Sequence, residues 1–226
     1  MSRPASTFDL VIATRNLHKV RELKSLLRLR HVRWRSLQEF PGVPPVKEDG
    51  RTFADNAAKK ARAAARATGC LALADDSGLE VRALNGEPGV RSARFAGRHG
   101  DDAANNALVL RRLAGAPRGE RAAQFRCVLV LADPRRVLAM SEGRLRGWIG
   151  EAPRGRQGFG YDPIFVVPGG KTVAELPMAV KNRISHRARA AAGMRRTLAR
   201  LAAASGRAAA ARRSRQAIPG SAAGRG

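Results

Sequence analysis

The stretch "LALADDSGLEV", residues 71–81, runs four apolar or small residues into two adjacent carboxylates, Asp75 and Asp76. Ser77 and Gly78 follow, and a second apolar run begins at Leu79. The chain is otherwise poor in acid, with 43 Lys plus Arg against 18 Asp plus Glu and a formal net charge of +25. Two acids side by side therefore carry information. Because Asp, Ser and Gly favour turns, the local reading is a strand, a carboxylate turn and a second strand. A turn needs only one of the two acids, and the other calls for a chemical explanation.

The length of 226 residues and a hydrophobic content of 44% fit one α/β domain, or two small lobes that share a core. No apolar run approaches the roughly 20 residues that span a bilayer, and the first residues lack the long apolar segment of a secretory signal. The expected setting is the cytoplasm, without a membrane partner. Cys70 and Cys127 each lie in an apolar run, which fits reduced, buried thiols rather than a disulfide framework or metal cluster. The basic excess is largely Arg and accompanies abundant Ala. Net charge of this kind reports non-specific attraction to polyanions and does not define a function.

Working outward, "FDLVIAT" (8–14) reads as a buried strand that turns at once into a helix with Val20, Leu23 and Leu27 on one face. Thr52 and Asp55 have capping-box spacing, opening an Ala-rich helix that Gly69 ends. Asp101 caps a third helix. "AQFRCVLVLAD" and "RRVLAMSEGRL" read as neighbouring strands joined at Asp133 and Pro134, and "GFGYDPIFVVPGG" as a turn feeding a strand. Ser185 caps a final helix. From about Ser205 the sequence loses apolar periodicity, so residues 1–204 are expected to form the domain and 205–226 a disordered basic tail.

Several residues carry chemistry. If Asn16 is an N-cap, then His18, Lys19 and Arg21 place positive charge where the helix dipole disfavours it. A bound phosphate would reconcile them, and a solvated basic face is the plainer alternative. The same conflict recurs at the last helix, where His186 and Arg187 follow Ser185 and Lys181 stands just upstream. Asn56 and Lys60 share a helix face. Asp75 and Asp76, with Glu48 upstream, suit Mg²⁺, which binds through few carboxylates plus substrate phosphates. A carboxylate beside such an ion can orient or deprotonate a water. In "GFGYD" two glycines permit close backbone approach around Phe159, a candidate base platform, although its aromatics fit a core-facing turn equally well.

Six stretches stand in order along the chain: "ATRNLHKVRE", "TFADNAAKKA", "LADDSGLEV", "GVRSARFAG", "GFGYDPIF" and "KNRISHRARA". Together, from Leu10 to about Leu201, they resemble the inosine triphosphate pyrophosphatase, or Ham1-like, family. The resemblance implies a long, mixed, twisted sheet with flanking helices, in two lobes around a central cleft, and usually a homodimer. It implies Mg²⁺-dependent hydrolysis of ITP, dITP and XTP to the monophosphate and pyrophosphate, which clears noncanonical purines from the nucleotide pool. By the same resemblance Asp76 is the catalytic proton acceptor and a metal-linked carboxylate, supported at the metal by Glu48 and Asp75. Ser77 matches a substrate contact. Thr14, Arg15, Asn16, Leu17, His18 and Lys19 match the first phosphate-binding turn, with Lys60 a further phosphate contact. Phe159, Gly160, Tyr161, Asp162, Lys181, His186 and Arg187 match the base and ribose end. The chain departs from the family pattern at Arg15 and His18, where Gly is frequent, and at Ala179 and Val180, where acids are common.

Two rival readings are weighed against this one. A Maf-like nucleotide pyrophosphatase would share the fold, but "GFGYDPIF" and "ISHRA" argue against it. An Arg-rich nucleic-acid module would call for aromatic platforms or a recognition helix, whereas aromatic content is 4% and no such motif is visible. Nucleic acid is therefore not a required partner.

Overall fold

The computed structural model describes residues 8–29 and 32–216, with side chains through residue 204. Apolar side chains at nearly every position make "FDLVI" a strand covered on both faces, β1 (Phe8–Ile12). It lies between β2 (Val32–Ser36) and β3 (Leu71–Val81), parallel to both. β3 then pairs antiparallel with β4 (Ala122–Ala132), β4 with β5 (Val137–Ile149), and β5 with β6 (Phe165–Val166). The result is one mixed six-stranded sheet in the order β2-β1-β3-β4-β5-β6.

The expected carboxylate turn does not exist. β3 is continuous, and its pairing with β4 runs unbroken from Ala72 opposite Ala132 to Val81 opposite Ala123, with Asp75 opposite Leu129 and Asp76 opposite Val128. Local turn preference is overridden by a ladder that satisfies the backbone along the whole strand. In a strand successive side chains point to opposite faces, so Asp75 and Asp76 leave the sheet on opposite sides.

Helices cover both faces. On the Asp75 side, α1 (Leu17–Leu27) and α5 (His186–Gln216) bury Val20, Leu23, Leu27, Ala190, Met194 and Leu198 against Leu10, Ile12, Leu73, Leu129 and Leu131. On the Asp76 side, α2 (Phe53–Thr68) lays Ala57, Ala61, Ala64 and Ala65 on Ala72, Ala74, Val128 and Val130. Small side chains on both surfaces let this helix approach the sheet closely. Its ends form as read: Thr52 and Asp55 make a capping box, and Gly69 closes it at φ +69°. A third core, with Leu79, Val81, Phe125, Leu145, Ile149 and Phe165, occupies the far ends of β3–β5, where Val109 of α3 (Asp102–Arg112) and its C-cap residue Leu113 pack. Asp75 and Asp76 sit on β3 between these cores.

Three further differences from the sequence reading concern extent. β2, rich in Arg, and α4 (Met178–Ile184), which begins at Pro177, gave no clear apolar period. β5 extends to Ile149. The backbone of α5 continues to Gln216, past the expected boundary at 205, because Ala and Arg are strong helix formers even without an apolar stripe. The rest of the expected tail, 217–226, lies outside the described residues.

Gly143 of β5 determines how α5 is seated. A Cβ there would lie 2.1 Å from the carbonyl oxygen of His186 and 2.4 Å from the Ala190 nitrogen, both backbone atoms that cannot rotate away. Gly143→Ala is therefore expected to displace the start of α5 and to destabilise the fold by about 1–3 kcal/mol or more, read as a lower midpoint in chemical denaturation. An unchanged midpoint would show that the helix has slack at this crossing.

Candidate active site

The side chain of Asp75 is fully buried. One of its oxygens accepts from Lys19 Nζ at 2.6 Å and Ser77 Oγ at 2.8 Å, the other from Arg187 Nε at 2.7 Å and Cys127 Sγ at 3.2 Å. Four donors saturate a carboxylate. Burial pushes this carboxyl up, but Arg187 and Lys19 outweigh it and hold the group well below the usual range. Burial, then the Asp75 charge, pushes the Cys127 thiol well up, so it stays a donor. The anion that reconciles basic residues with two helix starts is thus supplied by the chain itself, for Lys19 at α1 and Arg187 at α5 alike.

Both helix starts are built as the sequence suggests. Asn16 Oδ1 accepts from the His18 and Lys19 amides at 2.9 and 3.1 Å, and Ser185 Oγ accepts from the Ala188 amide at 3.1 Å. Arg187 continues to Glu22 of α1, which also meets Lys181 Nζ at 2.8 Å, and Lys181 reaches Asp162 at 2.7 Å. The buried chain Lys19–Asp75–Arg187–Glu22–Lys181–Asp162 alternates in sign and is neutral as a whole. Sequence reasoning missed Glu22. Its signal was an acid placed between Val20 and Leu23 on the buried stripe of α1.

Asp76, on the other face, is arranged differently. Lys60 Nζ donates to its Oδ1 at 2.8 Å and stands 3.2 Å from Glu48, while Asp76 Oδ2 is buried without a partner. Burial, with the neighbouring Glu48 carboxylate adding to it, pushes Asp76 up to about 6 even though Lys60 and Lys19 pull the other way. Burial also opposes the charge on Glu48, but Lys60 outweighs it and keeps that group low. Two carboxylates share one ammonium, which leaves an excess of one negative charge. They line a cleft of about 320 Å³ with Thr14, Arg15, Asn16 and Lys19. Arg94 and His99, which the sequence reading did not single out, border it too, and Arg94 donates to the Glu48 carbonyl at 2.9 Å.

A carboxylate oxygen without a partner among the described residues, on a side chain that lines a cleft beside a second carboxylate, fits Mg²⁺ held by few protein ligands. Asp75 does not fit that set. Its lone pairs are filled and it leaves the opposite face of the strand, so the expected three-acid group is corrected to Asp76 and Glu48. Among the described residues no three His, Cys, Asp or Glu side chains converge as a metal cluster.

A second cavity, about 130 Å³, adjoins the first and shares Asn16, Lys19, Ser77 and His99 with it. Phe159, Gly160, Asp162, Lys181, His186 and Arg187 line it. Phe159 is partly exposed, with Lys181 Nζ 5.0 Å from its ring centroid and the His18 ring stacked at 5.3 Å. Burial, then Arg187, holds His186 well below its usual range, so it is neutral, stacked on Phe125 with Nδ1 free of partners. Tyr161 lines this cavity too, while its ring joins the far core and its hydroxyl donates to the Ser92 carbonyl at 2.8 Å. Leu17 is exposed and lines neither cavity.

The sequence profile of the Ham1 family matches residues 10–197, which takes in every residue of both cavities. The chain belongs to the Ham1 family. Among Ham1 relatives, the dITP/XTP pyrophosphatase of Desulforamulus reducens is 56% identical over 182 residues, covering 80% of this chain and 90% of that one. The dITP/XTP pyrophosphatase of Geobacillus kaustophilus is 52% identical over 183 residues, with the same coverage. A solved HAM1 protein from Coxiella burnetii superposes with a TM-score of 0.78 at 42% identity, covering 86% of this chain and 100% of its own. A nucleoside-triphosphatase / dITP/XTP pyrophosphatase from Mycobacterium abscessus gives 0.69 at 46%, covering 82% and 97%. These matches are to Ham1 proteins, which favours that family over the Maf-like alternative.

The contrast between the two acids is measurable in the metal-free protein. Asp76 is raised from 3.8 to about 6, so wild type is most favoured below the lower value and loses stability as the pH rises from about 4 through 6. Asp76→Asn removes that cost. Without metal its unfolding free energy is expected to match or exceed that of wild type at pH 8, by an amount of order 1–3 kcal/mol read as a higher melting temperature, with the advantage closing towards pH 4. Turnover with metal is expected to fall about 10²-fold or more. A mutant that melts lower at pH 8 and turns over normally would make Asp76 a structural residue.

Proposed function

We propose that this Ham1 protein hydrolyses the α–β phosphoanhydride of dITP, XTP and ITP, releasing the nucleoside monophosphate and pyrophosphate in a reaction that requires Mg²⁺. The observation that carries this reading is the junction of two unlike compartments: an acid–lysine cleft suited to metal and phosphates, continuous through Asn16, Lys19 and Ser77 with a cavity lined by the partly exposed Phe159 ring. The names of the curated relatives support the choice of substrate.

Asp76 is the base. Its unpartnered oxygen can accept the proton of a water attacking phosphorus, and an affinity near pH 6 suits proton transfer at neutral pH. Lys60 orients that carboxylate and adds positive charge where the phosphates lie. Lys19, already fixed by Asp75, has two further N–H groups to give a phosphate oxygen. Bound by Asp76 and Glu48, Mg²⁺ would supply Lewis-acid stabilisation of the charge developing on the phosphates. At the other end, Phe159 offers a stacking face and Lys181 and Arg187 are donors near it. Donors facing a purine 6-oxo group accept hypoxanthine or xanthine and leave the 6-amino group of adenine unpaired. The proposal includes a cytoplasmic homodimer. Among the described residues no helix is long and apolar enough to cross a membrane.

A pyrophosphate-release assay over dITP, XTP, ITP, GTP, ATP and the pyrimidine triphosphates, with Mg²⁺ or with chelator, tests the reading. The first three are expected to exceed ATP and GTP in kcat/KM by about 10²-fold or more, with turnover abolished by the chelator. Orthophosphate as the product, equal use of ATP, or full rate in chelator would overturn it.

A further inference from the structure

The turn that presents Phe159 is gripped by α3, from Asp102 at the rim of the second cavity and from Asn106 outside both cavities. Asp102, in the first turn of α3, accepts the Gly160 amide at 2.6 Å, and Asn106 donates Nδ2 to the Gly160 carbonyl at 2.9 Å. The two residues are four apart and so share a helix face. Together they hold both backbone polar groups of the residue next to Phe159, across more than fifty positions of sequence. Gly160 has φ +63°, and a side chain added there would meet nothing within 4 Å, so packing does not fix the turn at this point. The hydrogen bonds fix it instead.

The same helix also holds the facing wall. Asn105, buried one position earlier, accepts the Ala96 amide at 2.8 Å, in the loop that carries His99 to the junction of the two cavities. α3 is anchored by Val109 and Leu113 in the far core and capped by Asp101, whose side chain accepts the Ala104 amide. A rigid element thus sets the separation of two otherwise loop-borne walls. The amide orientation of Asn106 is dictated, since a carbonyl only accepts, and its other atom, Oδ1, is buried without a partner among the described residues. An apolar side chain would avoid that cost, so the donor has a use.

We infer that Asp102 and Asn106 are positioning residues for nucleobase recognition: they clamp Gly160 so that Phe159 stands at the height and angle the purine requires. The inference rests on the proposed function, because it takes the Phe159 cavity as the base site. It predicts that loss of the clamp weakens base recognition while the phosphate chemistry at Asp76 continues.

Asn106→Asp keeps shape but turns a carboxylate oxygen towards the Gly160 carbonyl. Asp102→Ala removes the acceptor, and Asp102→Asn restores one without the charge. Steady-state kinetics with dITP and dATP, alongside melting temperatures, are the measurements. Asn106→Asp and Asp102→Ala are expected to raise KM for dITP about tenfold with kcat within about twofold, and to lower the dITP-to-dATP ratio of kcat/KM by a similar factor. Asp102→Asn is expected to recover most of the loss. A fall in kcat at unchanged KM, an unchanged selectivity ratio, or an Asp102→Asn variant as impaired as Asp102→Ala would overturn the clamp. If Asn106→Asp does not fold, the Asp102 pair at the exposed edge of α3 decides alone. Wild-type protein that does not prefer dITP to dATP would overturn the function itself, a result distinct from variants that keep wild-type selectivity.

Discussion

The fold depends on neutralising Asp75, an ionised carboxylate without any solvent exposure in the middle of a central strand. An isolated charge there would be untenable, and even a paired one is costly unless every lone pair is filled. Lys19, Arg187, Ser77 and Cys127 fill them, and they come from α1, α5, β3 and β4. Each of these elements must therefore arrive in register for the strand to be tolerated. Removing one partner from such a pair commonly costs about 3–5 kcal/mol, which makes the arrangement a strong discriminator between the native packing and its near alternatives. The network then extends through Glu22 and Lys181 to Asp162, so the start of α5, the whole of α4 and the Phe159 turn are positioned by one alternating set of charges.

Strand geometry lets the same pair of acids serve the proposed chemistry. Because neighbours on a strand point to opposite faces, the residue after the buried counter-ion must emerge on the other side of the sheet. There Asp76 finds a thin layer of Ala side chains, a helix lying close, and Lys60 shared with Glu48. The saturated acid holds the backbone still, and the unsaturated one, borne by the adjacent Cα, inherits that rigidity. A catalytic group gains most from preorganisation when its own side chain is not asked to hold the fold together. The adjacent pair meets both needs without requiring a turn.

How much of this was legible in the sequence follows from the range of the interactions. Helix ends were readable, because Asn16, Thr52 with Asp55, Asp101 and Ser185 act on amides within a few residues of themselves. The wrong-sign charges at two helix starts read as a phosphate site, but the anion that meets Lys19 and Arg187 is Asp75, through contacts 56 and 112 residues away that no local pattern encodes. The carboxylate turn was misread for the same reason: Asp-Ser-Gly favours a turn, and only the ladder with β4 makes it strand. Glu22 was overlooked as one more charge on a charged helix, though its place in the stripe Val20–Leu23–Leu27 was visible. The roles of Arg94, Asp102 and Asn106 lie in contacts to distant backbone, which side-chain type alone does not reveal.

The charge distribution also separates the two faces of the strand. The Asp75 network pairs three cations with three carboxylates and carries no excess charge of either sign. At the opposite face Asp76 and Glu48 exceed Lys60 by one negative charge, so a polyanion approaching the cleft would meet repulsion at the point where reaction must occur. Arg15 and Arg94 on the border oppose this in part, but each already spends a guanidinium N–H on a carbonyl, of Val43 and Glu48 respectively. In the proposed function a divalent cation held by Asp76 and Glu48 would reverse the sign of that local field at the cost of few ligands.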